Sequence, residues 1–291
     1  MANLKEVRNR IASVASTMQI TSAMKMVSAS KLRRAQNTIV SLRPYSELFT
    51  EVLGKVMHKN GDLSDSEYGE REETNKILIL VLTSNKGLCG GFNSNIIKAT
   101  QNRIKELRSD DPNIEIEIFS FGKKSSDFFG RREPKPYSVN DEIWDDPNFE
   151  AISELSNLLM QEFKSGRFDR IEIVYNQFRN SATQVITNEV ILPIQKIEQE
   201  EEFIIDNVIF EPTFEEVKDN ILPQSIRTQV YKCFVDSFAS EHGARMTAMH
   251  VATDNAENLL RELKLSYNKA RQAAITNEII EISSGAEALN G

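Results

Sequence analysis

Proline and glycine are nearly missing from both ends of this 291-residue sequence, and cysteine is nearly missing from all of it. The first segment, Leu4 to about Val56, has one proline, Pro44, and no glycine before Gly54. The last, about Phe214 to Ala288, has no proline after Pro223 and only Gly243 before Gly285. Such scarcity excludes a run of tight turns and leaves room for long uninterrupted helices. The two cysteines, Cys89 and Cys233, show no zinc-type spacing and are too few for a disulfide scaffold. A reducing, cytoplasmic setting fits them best. Long apolar runs are also absent. The longest, Ile77 to Leu82, is far too short to span a bilayer. The opening "MANLKEVRNR" lacks the apolar core and cleavage site of a signal peptide. Membrane association is therefore expected only through a partner. A net charge of -8 argues against nonspecific nucleic-acid binding by the chain as a whole.

What is present is helical periodicity. Alternating steps of three and four pass through Leu4, Val7, Ile11, Val14 and Met18, then Thr21, Lys25 and Ser28, then Leu32, Ala35, Ile39 and Leu42. This is a coiled-coil seam with a gap in the middle. At about 1.5 Å per residue the rod spans roughly 60 Å. A second walk runs Val235, Phe238, His242, Arg245, Met249, Ala252, Ala256, Leu259, Leu263, Ser266, Ala270, Ala273, Asn277 and Ile280. Many of these are small, and the rod would reach roughly 100 Å.

Between the rods the texture changes. "KILILVLT", "IEIEIFSF", "RIEIVYNQF" and "TQVITNEVILP" read as strands, with helical stretches near 93–108 and 149–165. The alternation predicts a largely parallel, Rossmann-like sheet whose last strand returns antiparallel. The fold class is α/β: a long antiparallel coiled coil from the two termini plus a central α/β domain. Its expected divisions are 1–59, a linker 60–73 that reads as exposed, the domain 74–205, and 206–291. The run "EQEEE", 198–202, reads as a solvated rim. Because the C-terminal rod is the longer, part of it is left without a partner in the chain, and it is expected to be buried in another protein.

Five features are candidates for a site. The loop "SNKGLCGGFN" follows a strand and precedes a helix, the plan of a phosphate cradle. It has Phe92 and Asn93 where a Walker loop needs Lys and Ser/Thr, and it fails GxGxxG as well. It reads as a structural turn. Cys89 would need a histidine base, yet His58, His242 and His250 all fall on or beside the rods, so a buried inert thiol is expected. His242 and His250 lack ligand spacing and a third partner, so no metal is expected. The N-terminal rod is basic, with eight cations through Arg43 against Glu6. It is either a solvated face or complementary to an acidic partner. In the seam gap "QITSAMKMVSASKLRRAQ", Met24, Met26 and Val27 sit among Ser and Ala. That suits a shaft touched from several directions, or merely a weak stretch of coil.

Nearly the whole chain resembles the gamma subunits of F-type ATP synthases. "ITNEIIEISSGAEA" (275–288) carries the family signature at Ile275-Thr276, Glu278, Glu281 and Gly285-Ala286. "AMKMVSASKLRRAQ", "TSNKGLCGGFN" and "ASEHGARMTAMHVATDNA" match too. Ser22 stands where lysine is common, and Gly243 where alanine is usual, a change expected to soften the helix by about 1 kcal/mol. No cysteine-bearing regulatory insertion is present, so thiol switching is not expected. The resemblance implies a non-catalytic rotor shaft inside a ring of three alpha and three beta subunits. It places the α/β domain beside epsilon and the c-subunit ring, with nucleotide sites on beta and no cofactor on this chain. It places Arg271 and Gln272 on an acidic catch loop of one beta subunit, and Met24 and Lys25 near another. It implies a peripheral position on the cytoplasmic face of a bacterial inner membrane, with no nucleic acid bound. The competing readings are a coiled-coil structural protein, or an α/β enzyme with a nucleic-acid-binding coiled-coil arm.

Overall fold

The apolar run Ile77–Leu82 forms the centre of a sheet in a computed structural model that describes residues 4–60, 67–71, 73–134, 136–181, 183–194 and 213–290. Strand β1 (Lys76–Leu82) pairs in parallel with β2 (Glu115–Phe121) and β4 (Arg170–Phe178). A short β3 (Pro136–Val139) extends β2 in parallel, and β5 (Gln184–Leu192) returns antiparallel to β4. The order β3-β2-β1-β4-β5 is that of a doubly wound sheet with one reversed edge. Helices on both faces explain why β1 is apolar at every buried position rather than alternating. Ile77, Ile79 and Val81 meet α2 (Phe92–Asp110) and α3 (Lys123–Phe129) through Ile96, Ile104, Leu107 and Phe129. Leu78, Leu80 and Leu82 share the other core with Ile152, Leu159 and Phe163 of α4 (Phe149–Lys164).

Two helices bracket the sheet, α1 (Leu4–Asn60) and α5 (Phe214–Asn290). The short α3 and β3 carry no periodicity of their own and are not legible in the sequence. The chain divides into two compact units, Ala29–Arg245 and the joined ends up to Ser28 and from Met246. In the first, α5 is a cover for the sheet: Leu222, Ile226, Val230, Cys233 and Phe234 belong to its core. Its opposite side meets α1, where Leu32 and Ala35 are buried and Lys31 Nζ lies 5.9 Å from the Phe238 ring. Gly243 has a packing reason for being glycine. A Cβ there would lie 3.2 Å from the Ser181 carbonyl in the β4–β5 turn. Gly122, at φ 85, ends β2 where a Cβ would fall 2.0 Å from the Thr83 carbonyl, so only glycine fits.

In the second unit the helices run antiparallel. Arg8 donates to the Tyr267 hydroxyl at 2.9 Å, Thr253 to the Thr21 hydroxyl at 2.8 Å, and Lys25 Nζ lies 3.2 Å from His250 Nδ1. Every seam position named on α1 is buried or half-buried, Leu4 through Leu42. The gap at Thr21 and Lys25 is a polar layer, with threonine facing threonine and lysine facing histidine. On α5 the stripe rolls by one position after Ala256. Leu259 and Ser266 are exposed, whereas Leu260, Leu263, Tyr267 and Ala270 are half-buried. The Arg8–Tyr267 bond lies on the rolled stripe. From Arg271 to Ala286 every residue is exposed, so nothing in the described chain covers this end of α5.

The stretch expected as an exposed linker is not uniformly exposed. Tyr68 is buried, its carbonyl accepts from the Ile194 amide, and Arg71 pairs with Asp169 at 2.9 Å. Residues 61–66 and 72 of that stretch, the acidic run 198–202 and the expected boundaries at 205–206 lie outside the described residues.

Candidate functional site

The loop after β1 spends its polar groups on itself. The Ser84 amide donates to Asn93 Oδ1 at 2.9 Å, and Ser84 Oγ to the Lys86 carbonyl at 2.7 Å. Asn93 Nδ2 donates to Ser84 Oγ at 2.8 Å and to Cys89 Sγ at 3.1 Å. From α5, Arg245 Nη2 donates to the Lys86 and Gly87 carbonyls at 2.8 and 3.3 Å. Its other arm meets Glu241, which also accepts from Trp144 Nε1. A phosphate cradle needs free amides converging on a void. This loop instead turns two carbonyls onto an arginine, as a packed turn does. Within it Leu88 adopts φ 63, rare for a non-glycine residue, and its side chain is 65% exposed.

Burial pushes the Cys89 thiol up, and the Ser84 hydrogen bond and Arg245 charge only partly offset it. A thiol so placed is a poor nucleophile. Its contacts are Ser84, Lys86 and Asn93, with no histidine among them. His242 is buried in the other direction chemically. Loss of water around it, and then the charges of Arg245 and Lys31, push the imidazole down to about 3. Neither ring nitrogen has a hydrogen-bond partner among the described residues. Among those residues no helix is long and apolar enough to cross a membrane.

The four residues singled out in the sequence all fall on the joined ends, but on two separate surfaces. Met24 and Lys25 are half-buried on α1, level with His250, whose Nδ1 lies 3.5 Å from Asp254 Oδ1. Around them Ile20, Met26, Val27 and Val251 are each more than half exposed. Ile20 and Val251 went unnoticed in the sequence, although both are apolar residues off the seam, the signal that marked Met26 and Val27. Arg271 and Gln272 lie about 30 Å further along α5 at the helical rise. Both are exposed, and Arg271 has no ion-pair partner among the described residues. Past them Ile275, Ile279, Ile280 and Ile282 are 50–66% exposed.

A helical pair with an uncovered apolar end and an α/β domain whose glycine loop is closed by arginine define a protein with contact surfaces and no formed nucleotide cradle in that loop. Residues 3–289 match the family model described as ATP synthase. The chain is 50% identical to the ATP synthase gamma chain of Flavobacterium johnsoniae and 52% identical to that of Christiangramia forsetii, with 100% of both chains covered in each case. In fold it is similar to a chain of the Euglena gracilis mitochondrial ATP synthase, OSCP/F1/c-ring, at TM-score 0.67 and 19% identity over 98% of this chain and 94% of that one. A chain of the Tetrahymena thermophila mitochondrial ATP synthase central stalk and c ring gives TM-score 0.57 at 24% identity, over 80% and 99%. The chain belongs to the ATP synthase gamma chain family, whose members are non-catalytic subunits of the ATP synthase complex.

Proposed function

We propose that this chain is the turning shaft of a bacterial ATP synthase. In this reading three alpha and three beta chains surround the joined ends, while epsilon and the c ring meet the α/β domain. The shaft works at the cytoplasmic face of the inner membrane and reaches the membrane only through those partners. A charge crossing about 100 mV yields roughly 2.3 kcal/mol, so several crossings are pooled for each ATP. A shaft whose faces differ presents a different surface to each beta chain at any angle, and differential contact shifts each site between its states.

The observation that carries the reading is the bare end of α5. A run of exposed residues with four isoleucines among them belongs against another protein rather than in water. Arg271 and Gln272 begin that run, where a guanidinium is free to take a carboxylate in a bidentate pair. Met24 and Lys25, ringed by exposed apolar side chains, make a second contact surface at another level, and methionine there tolerates changing partners.

Replacing both Arg271 and Gln272 by alanine lowers ATP-driven turnover of a reconstituted complex by about tenfold, the worth of one charge-assisted hydrogen bond. Subunit composition on gel filtration stays complete. Unchanged turnover would remove the catch assignment, and a complex that falls apart would turn it into an assembly contact.

A further inference from the structure

A cavity of about 580 Å³ opens where α1, the end of β4 and α5 meet within the unit Ala29–Arg245. Ile39 and Phe178 supply apolar wall, and Arg43, Arg179 and Lys232 bring three cations to its lining. Among the described residues none of the three has an ion-pair partner within 4 Å. A single carboxylate, Asp236, stands among them and is almost fully buried. A surface cation is normally solvated or paired. Here Arg43 and Arg179 are exposed at the rim and Lys232 is half-buried, and three cations against the one carboxylate leave an excess of positive charge that low-dielectric walls strengthen. The volume falls in the range of pockets for small molecules, roughly 300–1,000 Å³, and mixed apolar and polar lining is the usual composition of such sites.

We propose that this cavity binds a small organic acid, an oxyanion carried on a flat apolar body, with Arg179 and Lys232 holding the anion and Phe178 and Ile39 the body. The site stands apart from the rotor reading, because it uses neither of the surfaces assigned to the beta chains. A small molecule is favoured over a protein segment because the cavity is concave, of small-molecule volume, and lined by three elements of one unit.

Asp236 adds a signature. The groups facing it are Lys232 and Cys233 on its own helix, Arg43 on α1, Tyr175 on β4 and Glu189 on β5. Burial raises its carboxyl, with Glu189 adding to the rise and Lys232 and Arg43 opposing it, so that it is pushed up to about 6. A bound anion adds one more negative charge and favours the protonated form. Binding therefore takes up a proton, and affinity falls as pH rises through that value.

The test uses benzenesulfonate, whose charge is constant over that range, titrated into the full-length chain and into the assembled complex by calorimetry. Saturable one-to-one binding with a Kd near or below about 1 mM is expected. Lys232→Met and Arg179→Met each weaken it by about tenfold, while Lys98→Met on α2 leaves it unchanged. Asp236→Asn removes the pH dependence. Inorganic sulfate binds more weakly, since it leaves the apolar wall unused. Equal binding of sulfate, indifference to Lys232→Met and Arg179→Met, or no saturation would overturn the site. So would binding to the free chain that vanishes in the complex, because another subunit would then fill the cavity.

Discussion

His242 occupies a seam position that a coiled coil would give to an apolar residue, and the structure treats it as one. It lies edge-on to Phe238 with ring centroids 4.5 Å apart and stays neutral at any ordinary pH. The unfolded chain takes up a proton near the usual imidazole value of about 6.5, which the folded one refuses down to about 3. Stability from this group is therefore present above pH 6.5 and is lost as pH falls, by about 2 kcal/mol between pH 6.5 and 5. Asp236 tilts the opposite way, because its folded carboxyl keeps its proton up to about 6. Denaturant unfolding in an Asp236→Asn background isolates the histidine, and adding His242→Leu flattens the acid slope. A slope that survives His242→Leu would place its source elsewhere. Gly243 teaches a related lesson. The sequence marks it as a soft spot in a helix, whereas its reason is the Ser181 carbonyl against its Cα, a contact between distant segments that no local pattern encodes.

At the level of elements, the seam on α1 and all four long strands were legible because periodicity is a local property. The same walk held only in part on α5 after Ala256, where Leu263 and Ala270 are half-buried but Leu259 and Ser266 are exposed and Leu260 and Tyr267 take their place. Also hidden was the polar group inside the sheet. Glu172 is fully buried on β4, bound by Arg103 of α2 at 2.8 and 2.9 Å and by Asn188 of β5 at 2.7 Å. Burial alone would raise its carboxyl, but the Arg103 and Asn188 hydrogen bonds together with the charges of Arg170 and Arg103 outweigh that and hold it below its usual range. In the sequence it is one glutamate in "RIEIVYNQF", alternating like a solvent-facing residue. Arg103→Ala removes two charge-assisted hydrogen bonds and leaves the carboxylate to Asn188 and to Arg170, whose Nε lies 2.8 Å from Oε1, and a loss of about 2 kcal/mol in urea unfolding is expected. Arg103 and Asn188 stabilise the ionised form, so the loss shrinks as the carboxyl protonates in acid. A change under about 0.5 kcal/mol would mean that Arg170 and Asn188 hold the carboxylate without Arg103.

At the scale of the whole molecule, the bare end of α5 separates folding from function. Residues 271–286 are all exposed and none belongs to a core, so removing everything from Arg271 onward shifts the thermal unfolding midpoint by less than about 2 °C. In a reconstituted complex the same truncation weakens coupling of ATP turnover to rotation. A large drop in midpoint would show that this end folds onto the rest. The candidate surfaces were readable only in part, because exposure of Ile20 and Val251 depends on which side the antiparallel partner takes. The cavity beside Asp236 was not readable at all, since its lining comes from three elements far apart in sequence.

The guanidinium fork of Arg245 has a mechanical meaning under the shaft reading. Apolar packing has little directionality, whereas a planar guanidinium with one arm on the Lys86 and Gly87 carbonyls of the turn that leaves β1 and the other on Glu241 keeps a fixed direction. If α5 carries twist, this grip would be one route by which it reaches the turn at the end of the central strand, as a key seats a wheel on its spindle.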